Sequence, residues 1–463
     1  MCSNSASTEE WSPLTWRERA GADVTMWSKN VSFTNGELHL SGIAATKLAQ
    51  DFGTPTFFID EDDFRTRATS WNNVLRDEFG SHAGTVYYAA KAFISTAVAT
   101  WVKECGIGID VCTGGELAVA LAGGIDPAKI EVHGNNKSVA EIDRAVNVGV
   151  KTIVMDSIHE IERVATIARK YKKVQGVMLR LTPGIQAHTH ESISTAHEDV
   201  KFGFSIASGA AWAAVEKVLS HPELELRGFH SHIGSQIFGT DSFQLAADRL
   251  IGLLAKYRDV YGKELPELDL GGGYGIAYLP GDETLEPGEV MPALRSAVTA
   301  SCEKHKLSIP TISIEPGRAI VGPTTFTLYE VGTTKDVVLE DGKIRRYISV
   351  DGGMSDNIRP SLYDAEYHAV IAHRASSATS INSRVVGKHC ETGDIVIRDI
   401  NLPSDIAPGD LIAIPATGAY GRSMASNYNH VPRPPVVAVK DGKARVIVRR
   451  ENEEDLLALD VKE

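Results

Sequence analysis

Apolar runs rich in β-branched residues alternate with amphipathic stretches through the first two thirds of the chain. The runs Thr85–Ala90, Gly108–Val111, Ile130–His133, Thr152–Met155, Gly176–Leu181, Leu226–His230, Glu267–Leu270 and Thr311–Glu315 predict eight strands. Helical spacing lies between them. Glu160–Tyr171 carries Ile161, Val164, Ala165 and Ala168 on one face. Glu116–Ala122, Val139–Val148, Ala207–Leu219 and Phe243–Tyr257 continue the alternation. Strands that alternate with helices run parallel, joined by crossovers. Eight such units predict an α/β fold closed as a (β/α)8 TIM-like barrel of about 250 residues. An open doubly wound sheet is the competitor. The turn Gly271–Gly275 suggests it, but it lacks the GxGxxG spacing and comes late in the series.

After Arg318 the texture changes. Val331–Val338, Lys343–Val350, Arg384–Gly387, Asp394–Arg398, Asp410–Ile414, Pro435–Val439 and Ala444–Val448 are short β-rich runs broken by Asp-Gly, Gly-Asp and Pro. They predict an antiparallel β domain. The opening segment Val31–Ile43 also reads as strand and turn and is expected to join it. The expected division is a barrel over residues 58–320 and a β-rich domain made of 1–57 and 321–463. Glu451–Glu463 is an acidic tail with a short apolar stripe.

Composition narrows the classes. With 463 residues, 43% hydrophobic and 23% charged, the chain is ordinary globular material for two or three domains. No run of eighteen apolar residues predicts a membrane span. Met1–Trp11 has two glutamates, no basic residue and no apolar run, unlike a secretory signal. A net charge of −13 without a Lys/Arg block argues against nucleic acid or an anionic membrane as partner. Cys2, Cys105, Cys112, Cys302 and Cys390 are odd in number and contain no CxxC pair. That predicts reduced thiols in a cytoplasmic protein, with no disulfide framework and no structural metal.

A barrel places its active site at the C-terminal ends of its strands. There the expected strands end in Lys91, Asp110 and His133-Gly134-Asn135. Strand five carries Arg180. The later ends are His230-Ser231-His232, Gly271-Gly272-Gly273 and Glu315-Pro316-Gly317-Arg318. A lysine after a strand is usually a solvated end. Lys91, however, sits in Tyr87-Tyr88-Ala89-Ala90-Lys91-Ala92, an apolar setting expected to lower its pKa and suit it to Schiff-base chemistry. His230 and His232 face the same way and offer two metal ligands without an obvious third; an imidazole stacked on an aromatic cofactor is the favoured reading of His232. The glycine turn is either a tight loop or a phosphate cradle. Glu315 is either an ion-pair partner of Arg318 or a carboxylate that keeps a pyridine nitrogen protonated.

This set resembles the barrel-type pyridoxal-phosphate decarboxylases, which include the ornithine and arginine decarboxylases. The likeness covers nearly the whole chain and is greatest to the members that act on diaminopimelate. It rests on Tyr88–Ala92, His232–Gln236, Gly271–Gly273, Glu315–Arg318, Asp351–Tyr363, Cys390–Asp394 and Gly418–Tyr420. Phe93 stands where many members have Asn, and Thr392 where Ser is usual. The resemblance implies decarboxylation of meso-2,6-diaminopimelate to L-lysine and CO2, the last step of lysine biosynthesis. It implies that pyridoxal 5'-phosphate is held by Lys91, stacked by His232 and paired through its ring nitrogen with Glu315. Ser235, Gly271, Gly272, Gly273 and Gly317 are expected at the phosphate, with Tyr420 closing over it. Cys390 is the expected proton donor, since a thiol with a reference pKa near ~8.5 is mostly protonated at neutral pH. Arg318, Arg359, Tyr363, Glu391 and Tyr420 are expected around the substrate. The Cys390–Glu391 loop is expected to reach the site of the neighbouring subunit, so the resemblance also implies a homodimer with shared sites.

Three rivals stand beside this reading. One is a decarboxylase for ornithine, arginine or a carboxylated polyamine. Another is a racemase, whose ring partner would be Arg and not Glu315. The third is a catalytically dead binding protein, which retention of Lys91 and Cys390 argues against.

Overall fold

Residues 24–184 and 201–461 are described in the computed structural model; Cys2 and Met1–Trp11 lie outside the described residues. The first elements are a three-stranded antiparallel sheet, β1 (Val31–Thr34), β2 (Glu37–Leu40) and β3 (Ile43–Ala44), followed by β4 (Thr56–Asp60). The barrel wall is β5 (Ala83–Ala89), β6 (Gly108–Val111), β7 (Ile130–Val132), β8 (Thr152–Met155) and β9 (Gln175–Thr182). A two-residue β10 (Phe204–Ser205) lies beside β9. The wall continues with β11 (Leu224–His230), β12 (Glu267–Asp269) and β13 (Thr311–Ile314). All eight expected runs are present. Pairing is parallel throughout, and the contacts β13–β5 and β8–β9 close the ring.

Local sequence explains the spacing of the units. Ser95, Thr113, Ser138 and Ser157 each end a βα loop, and each accepts from the third backbone N–H of the helix that follows. Such caps contribute about 1 kcal/mol each. After Ser138, whose cap is reciprocated by Glu141, the helix Val139–Val148 buries Ile142, Ala145 and Val146. It stops at Gly149, whose φ of +84° is left-handed.

The second sheet contains β14 (Thr325–Val338), β15 (Ile344–Val350), β16 (Val370–Ile371), β17 (Ser380–Val386), β18 (Ile395–Pro403), β19 (Leu411–Ile414), β20 (Val436–Lys440) and β21 (Lys443–Val448). Its order is β18-β17-β15-β14-β4-β20-β21, with β19 on β14 and β16 on β19. The sheet is mixed where an antiparallel one was expected: β15–β17 and β20–β4 are parallel. Only strands joined by a short hairpin are compelled to be antiparallel. Long excursions separate the members of both parallel pairs.

Strand β4 ties the two halves together. It pairs with β14 and β20, so Phe58, Ile59 and Asp60 belong to this sheet, and the barrel half opens with the helix Glu61–Phe79. Its side chains alternate. Phe57 and Ile59 join the core that fills the barrel, while Phe58 packs with Leu38, Leu40, Phe326 and Val437. The opening strands pack against the second sheet without joining it; their link is Leu38 N–H to the Ala372 carbonyl at 2.8 Å. Their apolar residues alternate, so one face needs cover and no further pairing. Among the described residues, no helix is long and apolar enough to cross a membrane.

Candidate active site

Lys91 follows β5 at the C-terminal mouth of the barrel. The Tyr88 hydroxyl donates to the Phe93 carbonyl at 2.6 Å and fixes this turn. The second half reaches the same turn. Tyr420 N–H and Ser423 Oγ each donate to the Ala92 carbonyl at 2.9 Å. Tyr420 has φ +60°, a costly conformation for a bulky residue that needs such support. Just before it, a Cβ on Gly418 would overlap the Val321 carbonyl.

Between the halves lies a cavity of about 1050 Å³, lined among others by Lys91, His232, Ser235, Arg318, Arg359 and Tyr420. Tyr363 also lines it. The expectation of a depressed Lys91 pKa is corrected. Burial opposes the charge, but Tyr420, Cys112, Asp110 and Glu315 surround the amine and together push it up to about 12. An apolar sequence neighbourhood did not reveal the carboxyls brought in by other strands. His232 is held well below the usual imidazole range by burial and by the charges of Lys91 and Arg180. It therefore presents a neutral ring. Arg180 itself stacks on Phe202 at 4.3 Å.

Glu315 lies at the end of β13 and is buried. Its Oε1 is 2.9 Å from His133 Nε2 and 3.1 Å from His230 Nε2. It forms no ion pair with Arg318. His230 is thus occupied at Glu315, and the reading of His230 with His232 as a metal pair has no support in this arrangement. Burial alone would raise the Glu315 carboxyl, but the two imidazoles hold it well below the usual range. Glu315 Oε1 nevertheless receives no hydrogen bond of good geometry.

The glycine turn packs tightly. Gly271 N–H donates to Asp269 Oδ1 at 2.7 Å, and Gly272 N–H to His232 Nδ1 at 3.3 Å. A Cβ on Gly272 would overlap the Glu315 carbonyl. Gly271, Gly272, Gly273 and Gly317 stand behind the cavity wall and do not line it.

The far end of the cavity holds two buried guanidiniums. Arg318 donates to Ser235 Oγ at 2.8 Å and to the Tyr278 hydroxyl. Arg359 donates to the Tyr367 hydroxyl and lies 4.5 Å over the Tyr278 ring. They are 7% and 6% exposed, and among the described residues neither has a carboxylate ion-pair partner. The Nε of each is buried and unpartnered. Tyr278 and Tyr367 were not anticipated; nothing in their local sequence marks them, because their role is set by the arginines they meet. His133 was visible at a strand end but had no assigned role.

Cys390 and Glu391 are exposed and do not line this cavity. Their loop is nonetheless built. Cys390 N–H donates to Asn429 Oδ1 at 3.1 Å. Asp394 accepts from His389 N–H and Met354 N–H, both at 2.7 Å.

These residues fit pyridoxal phosphate. An amine stands in the cavity, a neutral imidazole lines it as well, and a buried carboxylate held ionised by its histidine neighbours ends β13. Matches to known proteins agree. Residues 61–322 match the pyridoxal-binding domain of the pyridoxal-dependent decarboxylases, and residues 284–418 match their C-terminal sheet domain. The chain belongs to this family of pyridoxal-phosphate-dependent carboxy-lyases, and within it to the diaminopimelate decarboxylases. It is 53% identical to the diaminopimelate decarboxylase of Mycobacterium tuberculosis, covering 94% of this chain and 98% of that protein. It is 42% identical to that of Bacillus subtilis, covering 92% and 96%. The M. jannaschii diaminopimelate decarboxylase in complex with L-lysine superimposes with a TM-score of 0.86 at 28% identity, covering 94% and 98%.

Proposed function

We propose that this cavity decarboxylates meso-diaminopimelate at its D centre and releases L-lysine. The bound cofactor supplies an electron sink for the charge left at Cα when CO2 departs. Lys91 is the residue to hold it covalently. His232 offers a neutral ring face for stacking, and Glu315 an ionised oxygen for the ring nitrogen. Ser235, Gly271, Gly272, Gly273 and Gly317 serve the phosphate, and Tyr420 covers it.

The observation that carries the choice of substrate is the pair Arg318 and Arg359. A buried charge is costly unless paired, and these two guanidiniums await an anion. A distal carboxylate answers that need, and Arg binds one bidentately. Tyr363 borders the same end. Ornithine and arginine carry no carboxylate there. Incubation with meso-diaminopimelate is expected to yield L-lysine and CO2, with the L,L isomer turned over poorly. Faster turnover of ornithine would overturn the assignment.

Arg359→Ala is expected to raise KM for meso-diaminopimelate about 10- to 150-fold, the worth of a charge-assisted pair of about 1.5–3 kcal/mol. Poor turnover of ornithine should barely change. Steady-state kinetics on both substrates check this, and an unchanged KM would make Arg359 structural.

The proton returned to Cα is assigned to Cys390, and the distal ammonium to Glu391. Both are exposed on the second half of the chain, which supports a homodimer in which each loop completes the other subunit's cavity. Inactive Lys91→Ala and inactive Cys390→Ala subunits are therefore expected to regain activity when mixed, because one site of each heterodimer is intact. Absence of recovery after demonstrated subunit exchange would exclude a shared site. Cys105, Cys112, Cys302 and Cys390 are free, which fits a reducing cytoplasm.

A further inference from the structure

Inside the barrel, Glu315 belongs to a cluster of buried ionisable groups whose other members the mechanism above does not use. Glu131 and His133 project from the same face of β7 and its end, two residues apart. His230 ends β11, Asp269 ends β12 and Glu315 follows β13. Glu131, His230 and Asp269 are 0% exposed, and His133 and Glu315 5%. One carboxylate oxygen each from Glu131, Asp269 and Glu315 lies within 4.8 Å of the others. Among the described residues, no lysine or arginine pairs with any of the three.

Three carboxylates this close in a dry interior cannot all be charged without a compensating cation. Asp269 is relieved by a proton: burial and the nearby Glu315 and Glu131 charges push it well above the usual range. Asp110, on β6, is pushed up likewise by burial and by Glu315. His230 is driven down to about 4, chiefly by burial, and is neutral. The compensating cation left in the cluster is His133. Its Nε2 lies 2.9 Å from Glu315 Oε1 and 3.9 Å from Glu131 Oε2. Burial opposes its charge, but Glu315 and Glu131 outweigh burial and push its pKa up to about 10.

We propose that His133 is a positioning residue: as an imidazolium wedged between Glu131 and Glu315 it keeps Glu315 ionised for the ring nitrogen, and Glu131, on its other side, adds to the field that keeps His133 charged. The proposal rests on the assignment of Glu315 to the ring nitrogen. The geometry suits it. His133 Nε2, 2.9 Å from Glu315 Oε1, sets the imidazolium charge directly against the carboxylate. A neutral side chain at 133 would fill the space but leave Glu131 and Glu315 repelling each other. One carboxyl would then take up a proton.

The test is a double-mutant cycle on the holoenzyme with two isosteric or near-isosteric changes, Glu131→Gln and His133→Asn. In the wild-type background, Glu131→Gln is expected to leave kcat unchanged near pH 7 and to move the alkaline limb of its pH profile down by about one unit, with KM unchanged. In the His133→Asn background, itself lowered on the order of 10²-fold, the same change is expected to raise kcat, because it removes a carboxylate that competes with Glu315 for charge. A structural role would not make the effect of Glu131→Gln depend on residue 133 in this way. The independent readout is the ¹³C resonance of labelled histidine, with His133 assigned by its loss in His133→Asn. It should remain imidazolium to near pH 10 in wild type and titrate about one unit lower in Glu131→Gln. An unshifted titration, or additive effects on kcat, would overturn the wedge. A shifted titration with kcat unchanged in Glu315→Gln would leave the charge wedge standing and remove Glu315 from the ring nitrogen.

Discussion

Lys91→Ala abolishes turnover and the covalent hold on the cofactor. The amine is the basic nitrogen at the mouth of β5, it lines the cavity, and its turn is pinned by Tyr88 from one half and by Tyr420 and Ser423 from the other. Alanine deletes the nucleophile without disturbing the hydrogen bonds to Phe93 and Ala92, which use backbone carbonyls. The variant should therefore fold. The rate is expected to fall by at least about 10³-fold, or about 4 kcal/mol of barrier. Borohydride followed by denaturation should leave cofactor mass on the wild-type chain and none on the variant. Substantial decarboxylation by Lys91→Ala would defeat the assignment of this lysine.

Glu315→Gln is expected to give a folded protein with severely slowed CO2 release. The amide preserves shape but cannot hold a proton at the ring nitrogen by charge. The same change leaves His133 facing Glu131 alone. Loss of a preorganised electrostatic partner in a buried site costs on the order of 10²- to 10³-fold in kcat, about 2.7–4 kcal/mol. The deficit should fall on the chemical step, so pre-steady-state CO2 release should slow as much as steady-state turnover. Because the charge of His133 offsets burial of the carboxyl, the wild-type rate should fall only as His133 loses its proton, near pH 10. A wild-type rate in Glu315→Gln would mean that Glu315 does not serve the ring.

Much of this was legible along the chain, for a physical reason. A parallel barrel strand is buried on both sides, so it shows as a short apolar run. The polar residue that ends it is at the C-terminal mouth. Lys91, His232 and Glu315 could therefore be picked out by position before any contact was known. Ser, Thr and Gly at the helix ends were likewise local signals. The pairing direction of the second sheet was not legible, because direction between strands distant in sequence depends on the path of the intervening chain. Phe57 and Phe58 illustrate the limit. The sequence marks both as apolar, and only the position of β4 between two cores sends them to different ones.

While the type of cofactor chemistry came from its resemblance to a known family, the amino-acid sequence by itself determined the barrel, the order of its strands and the main residues at the strand ends. These follow from periodicity and from side-chain type, which are properties of short segments. Tertiary structure decided the charge states. Lys91 lies in an apolar segment yet stays basic, because Tyr420, Cys112, Asp110 and Glu315 arrive around its amine from other segments. It also decided that Tyr278 and Tyr367 hold the two arginines, that Cys390 and Glu391 stand outside their own chain's cavity, and that His133 lies against Glu315. Electrostatic interactions depend on distance through space and on burial. Neither quantity is carried by any one segment of the chain.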